Sequence, residues 1–154
     1  MQRRTFLQGS LAGGAVAVAV GAGLLSPRGV LAAWPESAFS AKSVQDAMSN
    51  LFGSADSTAS GDISIKAPDI AENGAVVPVS VKTKISGTSR IALIAEKNGL
   101  PLAASFSLGK GTAGFVSTRI KMGKTSDVIA VVEAGGKRFS ARKNVKVTIG
   151  GCGG

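Results

Sequence analysis

The one cysteine of this 154-residue chain is Cys152, set in Gly150-Gly151-Cys152-Gly153-Gly154. A thiol can attack an electrophile, carry a covalent group or join a second thiol. A lone cysteine closes no disulfide within its own chain, and one sulfur does not hold a metal by itself. What remains is a bond to another molecule, either a partner chain or a small reactive species. Glycine has the least restricted backbone of all residues, so Gly150, Gly151, Gly153 and Gly154 give the thiol access without bulk. From Gly150 to Cys152 the segment extends on the order of 7–10 Å, at about 3.3–3.6 Å per residue.

The glycines supply nothing else. No base, cation or oxyanion donor side chain sits in the segment, and a nearby C-terminal carboxylate disfavours a thiolate. Histidine is absent from the whole chain. That removes a Cys-His dyad, a Ser-His-Asp triad and a histidine metal site from within it. An enzyme holds its nucleophile in a preorganised pocket, whereas a carrier leaves it loose and lets other proteins supply the pocket. The first reading is therefore a covalent carrier with no catalysis of its own. The alternative is a structural or interaction β-module whose cysteine only cross-links chains. A thiol enzyme such as a sulfurtransferase is the third, disfavoured by the missing histidine. Neither a catalytic residue nor a metal ligand nor a cofactor motif is assigned.

Other motifs are weaker. Gly109-Lys110-Gly111-Thr112-Ala113-Gly114 matches G-x-G-x-x-G, but that fingerprint needs a helix to receive the pyrophosphate. Phe115 onward alternates like a strand, so a glycine-rich connection is the better reading. Gly123-Lys124-Thr125 resembles the end of a P-loop, but Thr118 stands where its first glycine should be. Asp62, Asp69 and Glu72 match no calcium loop and read as solvated loop acids. Lys137, Arg138, Arg142, Lys143 and Lys146 crowd the last hairpin. They form either a solvated strand face or a patch that attracts an anion on Cys152 or an acidic partner.

The elements that position the thiol follow from the hydrophobic pattern. Trp34 to Gly53 reads as helical. Ser43 and Asp46 make a capping-box pair, and Val44, Ala47, Met48 and Leu51 form one apolar stripe. That stripe faces the domain, or alternatively a partner helix site. Ser54 to Asp62 reads as a linker without period. Beyond it, about seven strands recur at intervals of roughly 8–12 residues, the spacing of an antiparallel sandwich. Pro78 interrupts the clearest one, Ala75 to Ile85, and predicts an edge or a bulge there. Gly135-Gly136 predicts a two-residue hairpin loop. The last strand, Lys137 to Ile149, runs directly into the glycine segment.

The first 33 residues read as an address. Arg3-Arg4 with Phe6-Leu7 resembles a twin-arginine (Tat) export signal. Leu11 to Leu25 is apolar but shorter than the ~20 residues of a spanning helix, and Val30-Leu31-Ala32-Ala33 offers a cleavage site. A retained signal anchor is the alternative. The expected parts are a signal peptide over 1–33, helix and linker over 34–61, a β-sandwich over 62–149 and an arm over 150–154. Formal net charge is +9 over the full chain. A basic, exported protein without nucleic-acid-binding signatures points to anions rather than nucleic acid. After cleavage no membrane attachment is expected, and the location is the periplasm.

The twin-arginine leader, Ala71-Glu-Asn-Gly-Ala-Val-Val-Pro-Val79 and the terminal Gly-Gly-Cys-Gly-Gly together resemble the SoxY family. These are the substrate-carrying subunits of the thiosulfate-oxidising Sox system. The resemblance implies an immunoglobulin-like β-sandwich paired with SoxZ, a second small β-sandwich protein. It also implies that Cys152 carries thiosulfate-derived anions covalently. SoxAX, a c-type haem enzyme, would load thiosulfate onto the thiol, and SoxB, a dimanganese hydrolase, would release sulfate. A sulfane dehydrogenase, where present, would oxidise the remaining sulfur. Two chains joined by a disulfide through Cys152 are a further implication.

Overall fold

A computed structural model describes residues 34–148, and Pro35 onward belongs to one compact unit. Two helices come first, α1 (Glu36–Phe39) and α2 (Val44–Phe52). Nine strands follow: β1 (Thr58–Ala59), β2 (Ile63–Lys66), β3 (Ile70–Ala71), β4 (Val77–Thr83), β5 (Thr88–Ala95), β6 (Leu102–Ser107), β7 (Phe115–Ile120), β8 (Ser126–Ala134) and β9 (Lys137–Val147).

The expected single helix is thus two, and Ser43 is the reason. It takes extended backbone (φ −123°, ψ 155°), as a residue that caps a helix must. Its Oγ accepts the Asp46 N–H at 3.0 Å and its own hydroxyl donates to Asp46 Oδ2 at 2.7 Å. At the other end Gly53 has φ 79°, a left-handed conformation that ends the helix without steric cost. Arg90 of β5 donates from Nη1 to the Leu51 carbonyl at 2.9 Å, and its guanidinium lies 5.8 Å from the Phe52 ring centroid. A cation there satisfies one of the carbonyls that the helix end leaves open.

The strands form two sheets. The larger runs β1-β9-β8-β5-β6 with β3 also on β9, and the smaller runs β2-β4-β7. Between them lies the main core, with Val77, Val79 and Val81 of β4 clustered with Ile91 and Leu93 of β5, Val128, Ala130 and Val132 of β8, and Val145 of β9. This is the expected all-β sandwich. A second cluster lies outside the larger sheet, where Ala92, Ile94, Leu102, Ile129 and Val131 pack against Ala38, Ala47, Met48 and Leu51. Both faces of β5 and β8 are therefore covered, which is why Ile91–Ala95 and Val128–Val132 are unbroken apolar runs. The stripe of α2 faces inward and is already occupied by the sheet, so the partner-helix alternative has no free apolar face. Burial of Met48 and Leu51 stabilises this layer by roughly 1.5–3 kcal/mol each.

Three expectations need correction. Ser54 to Asp62 is more than a linker, because Thr58–Ala59 pairs in parallel with Phe139–Ser140 of β9. Ile70–Ala71 likewise pairs in parallel with Lys146–Val147. Two-residue strands leave no periodic signal, so these raise the number of strands from about seven to nine and make the larger sheet mixed. Third, β4 is the central strand of its sheet rather than an edge. Pro78 is tolerated because β2 reaches only as far as Ser80, so β7 alone pairs with β4 at that level. The Gly135-Gly136 hairpin forms as expected, with φ 56° and 74°.

The G-x-G-x-x-G segment connects β6 to β7 and no helix follows it, which leaves no place for a pyrophosphate. Gly111 takes a left-handed φ of 79° in open space, and Gly114 serves packing. A Cβ on Gly114 would lie 2.6 Å from Thr83 Cγ2 and 2.9 Å from the Thr83 carbonyl oxygen. The Thr83 N–H donates to the Gly114 carbonyl at 2.8 Å, so the two chains meet backbone to backbone.

Candidate functional site

Cys152 and its flanking Gly150, Gly151, Gly153 and Gly154 lie outside the described residues, as do Arg3 and Arg4. What the structure describes is the mount from which the glycine segment departs. The mount is the last two described residues, and both are held. On one side the Thr148 N–H donates to the Ala71 carbonyl at 3.1 Å, and Thr148 Oγ1 donates to the Glu72 carbonyl at 3.2 Å. On the other side Thr125 Oγ1 accepts the Val147 N–H at 2.9 Å and donates back to the Val147 carbonyl at 3.3 Å. One residue earlier, the Lys146 N–H donates to the Asp69 carbonyl at 2.9 Å. The end of β9 is clamped between β3 and the loop that opens β8.

Loops around the mount are tied to one another. Asn73 makes an Asx turn by accepting the Ala75 N–H on Oδ1 at 2.9 Å. The Gly74 carbonyl that follows accepts the Met122 N–H at 2.7 Å. Asn98, in the β5–β6 loop, donates through Nδ2 to the Lys121 carbonyl at 2.7 Å and accepts the Gly123 N–H on Oδ1 at 2.9 Å. Ala71 to Val79 thus has a definite task. Its first two carbonyls hold Thr148, its turn holds Met122, and Val77 and Val79 anchor it in the core.

Charges near the mount do not fall as the sequence suggests. Arg142 Nη1 lies 2.9 Å from Glu96 Oε1 and 3.7 Å from Asp127 Oδ2. Lys143 Nζ lies 3.1 Å from Asp69 Oδ1, and Arg138 Nε donates to the Asp56 carbonyl at 3.0 Å. Three of the five hairpin cations are therefore engaged within the domain, leaving Lys137 and Lys146 outside any ion pair among the described residues. The reading of Arg142 and Lys143 as anion attractors loses its basis. Cations without an acidic partner among the described residues stand elsewhere: Lys97 in the β5–β6 loop, and Lys121 and Lys124 in the β7–β8 loop. These three line a cleft of about 620 Å³ together with Asn98, Gly99, Leu100 and Gly123. Among the described residues, no cluster of three or more acidic, histidine or cysteine side chains could hold a metal ion. No described helix is long and apolar enough to cross a membrane.

The model of the SoxY family, described as sulfur oxidation protein SoxY, matches residues 48–152. The chain belongs to the SoxY family. A solved SoxY, the sulfur carrier protein from Chlorobium limicola f thiosulfatophilum, is 46% identical over 68% of this chain and 94% of its own, with a TM-score of 0.62. None of the curated proteins matches. The SoxY match takes in α2 from Met48 onward, every described strand, the Ala71–Val79 segment and Cys152. It leaves out the first 33 residues, α1 and the start of α2.

Sequence reasoning found the thiol and missed its mount. Thr125 gave no signal, because a single loop threonine has no pattern. β3 was hidden between Pro68 and the Asn73-Gly74 turn. The cleft lysines were passed over because they come from two loops 24 residues apart, brought together by the Asn98 hydrogen bonds.

Proposed function

We propose that the protein is a periplasmic sulfur carrier that binds thiosulfate-derived intermediates covalently on Cys152 and presents them to separate Sox enzymes. The observation that carries the reading is the family match running through the chain's one thiol, five residues beyond a strand end hydrogen-bonded on both sides. A fixed mount followed by glycines suits a thiol that must enter several active sites from one body. The solved SoxY relative is named a sulfur carrier protein, which supports the same role here.

The chemistry assigned to Cys152 balances in four steps. Thiol and thiosulfate join through a new S–S bond, losing one proton and two electrons, which pass to the haem of SoxAX. Water then cleaves the terminal S–S bond under SoxB, giving sulfate, two protons and a cysteine persulfide. A sulfane dehydrogenase takes six electrons from the persulfide sulfur, with three waters supplying the oxygens of a sulfonate and six protons leaving. A second hydrolysis gives sulfate and a proton and restores the thiol. This chain contributes the attachment atom and its delivery. Covalent attachment keeps a labile anion from diffusing away and raises its effective concentration at each partner.

The proposed organisation is a Tat leader over 1–33 with Arg3 and Arg4 at its head, a domain over 34–149 that pairs with SoxZ, and an arm over 150–154. The leader's apolar run, with glycines diluting it and small residues after it, supports export and cleavage. Cys152→Ser is the test. The variant should fold and pair with SoxZ but support no thiosulfate oxidation by the reconstituted enzymes. Full oxidation by the variant would overturn the proposal.

A further inference from the structure

We infer that the cleft between the β4–β5 turn and the glycine-rich β6–β7 loop binds a small, free tetrahedral dianion of the sulfate, thiosulfate or phosphate kind. The site is independent of the chemistry on Cys152. Three observations carry it.

First, the charge is of one sign and unspent. The cleft encloses about 670 Å³, and Lys84 and Lys110 are the only ionisable side chains in its lining. Both are exposed and make no ion pair among the described residues. Two acids stand near. The Asp62 carbonyl accepts the Lys84 N–H at 3.0 Å, and the Glu133 carbonyl accepts the Ser89 hydroxyl at 3.3 Å. Neither residue lines the cleft, and Glu133 faces Arg90 and Arg138 across its two neighbouring strands.

Second, donors are available in both walls. The backbone N–H groups of Ser86, Gly87, Lys110 and Gly111 make no hydrogen bond among the described residues. Turn N–H groups of this kind are common donors to oxyanions. Gly87 and Gly111 have φ of 72° and 79°, and nothing stands within 4 Å of where a Cβ would project from either. The approach to these N–H groups is therefore open.

Third, the cleft is preformed. The Thr83 N–H donates to the Gly114 carbonyl at 2.8 Å and ties the two walls together. Within the first wall Thr83 Oγ1 accepts the Ile85 N–H at 3.1 Å, and the Thr88 hydroxyl donates to the Ile85 carbonyl at 2.7 Å. Within the second the Thr112 N–H donates to the Gly109 carbonyl at 3.2 Å. Preorganisation lowers the entropic cost of binding. With no helix end behind the loop, two lysines and a few N–H groups suit one tetrahedral group rather than a pyrophosphate.

The site lies at the opposite end of the sandwich from the glycine segment. Thr88 pairs with Ala134, and Ala134 with Lys137, at the start of β9. Ten residue steps along β9 separate Lys137 from Val147, about 33 Å. Five steps from Val147 to Cys152 reach at most about 16–18 Å, so the chain's own thiol stays clear of the cleft. Each exposed lysine should change affinity by about 1.4- to 5-fold, and both together by about 2- to 25-fold.

The test uses the full mature chain labelled with nitrogen-15, its thiol capped with neutral iodoacetamide. It is titrated separately with sulfate, thiosulfate and phosphate, at a pH where phosphate is dianionic and with ionic strength held constant by sodium chloride. Expected are saturable amide shifts at Ser86, Gly87, Lys110 and Gly111, with affinity about 2- to 25-fold lower in Lys84→Gln/Lys110→Gln, whose thermal unfolding confirms its fold. Preference for sulfate and thiosulfate would assign the site to sulfur oxyanions, and equal binding of all three to tetrahedral dianions at large; either supports the inference. Shifts that never saturate, equal shifts with chloride alone, or undiminished affinity in the double variant would overturn it. Because the thiol is capped, none of these outcomes bears on the carrier reading.

Discussion

Deleting Gly150 and Gly151, or inserting two further glycines after Gly151, perturbs the proposed arm in opposite directions with unequal expected results. Thr148 is held by the Ala71 and Glu72 carbonyls, so the proposed arm is counted from there. Four residue steps take it to Cys152, a maximum reach of about 13–14 Å. The deletion halves that to about 7 Å, and misplacement by even 1 Å can cost about 10²-fold in rate. Turnover of thiosulfate by the reconstituted Sox enzymes should fall by at least about 10²-fold. The insertion lengthens the path from four to six steps and costs only about (3/2)RT ln(6/4), or ~0.4 kcal/mol, about twofold. Reaction of the thiol with a small disulfide reagent should be the same in both variants. Wild-type turnover by the deletion variant, or equal losses from deletion and insertion, would refute the argument from reach.

Further outcomes follow from the packing. Ser126 is 2% exposed and its hydroxyl has no hydrogen-bond partner among the described residues. Ser126→Ala should therefore stabilise the protein by about 1 kcal/mol, seen as a raised denaturation midpoint; a loss of stability would reveal a hidden partner. Gly114→Ala should cost about 1–3 kcal/mol by forcing the β7 entry away from the Thr83 backbone. Unchanged stability in urea would show that the contact relaxes freely. Leu51→Ala should cost about 2–5 kcal/mol in one cooperative transition, because α2 covers the outer face of the larger sheet. An early separate transition would mean that the helices are a detachable unit.

Alternation made the sandwich legible. Val77, Val79 and Val81 announced β4, and Gly135-Gly136 announced the last hairpin. What alternation cannot reveal is a second covered face. The runs Ile91–Ala95 and Val128–Val132 are apolar at every position because helices lie on one side and the smaller sheet on the other. The α2 stripe held the other half of that information, but only tertiary packing joins the two. β1 and β3 were illegible because each makes two pairs with β9 and owes its position to the strand it borders.

The site divides in the same way. A lone thiol among glycines is a local statement and could be read directly. The clamp at Val147 and Thr148 depends on Thr125 and Ala71, distant in sequence, and nothing local marks either. The hairpin cations misled because their acidic partners, Glu96, Asp127 and Asp69, come from three other segments.

The mass of Cys152 in protein isolated from cells oxidising thiosulfate tests the carrier reading most directly. Thiosulfonate, persulfide or sulfonate adducts confined to that residue are expected. Cys152 recovered only as free thiol or as a plain disulfide between two chains would contradict it, and would leave a cross-linking module in its place.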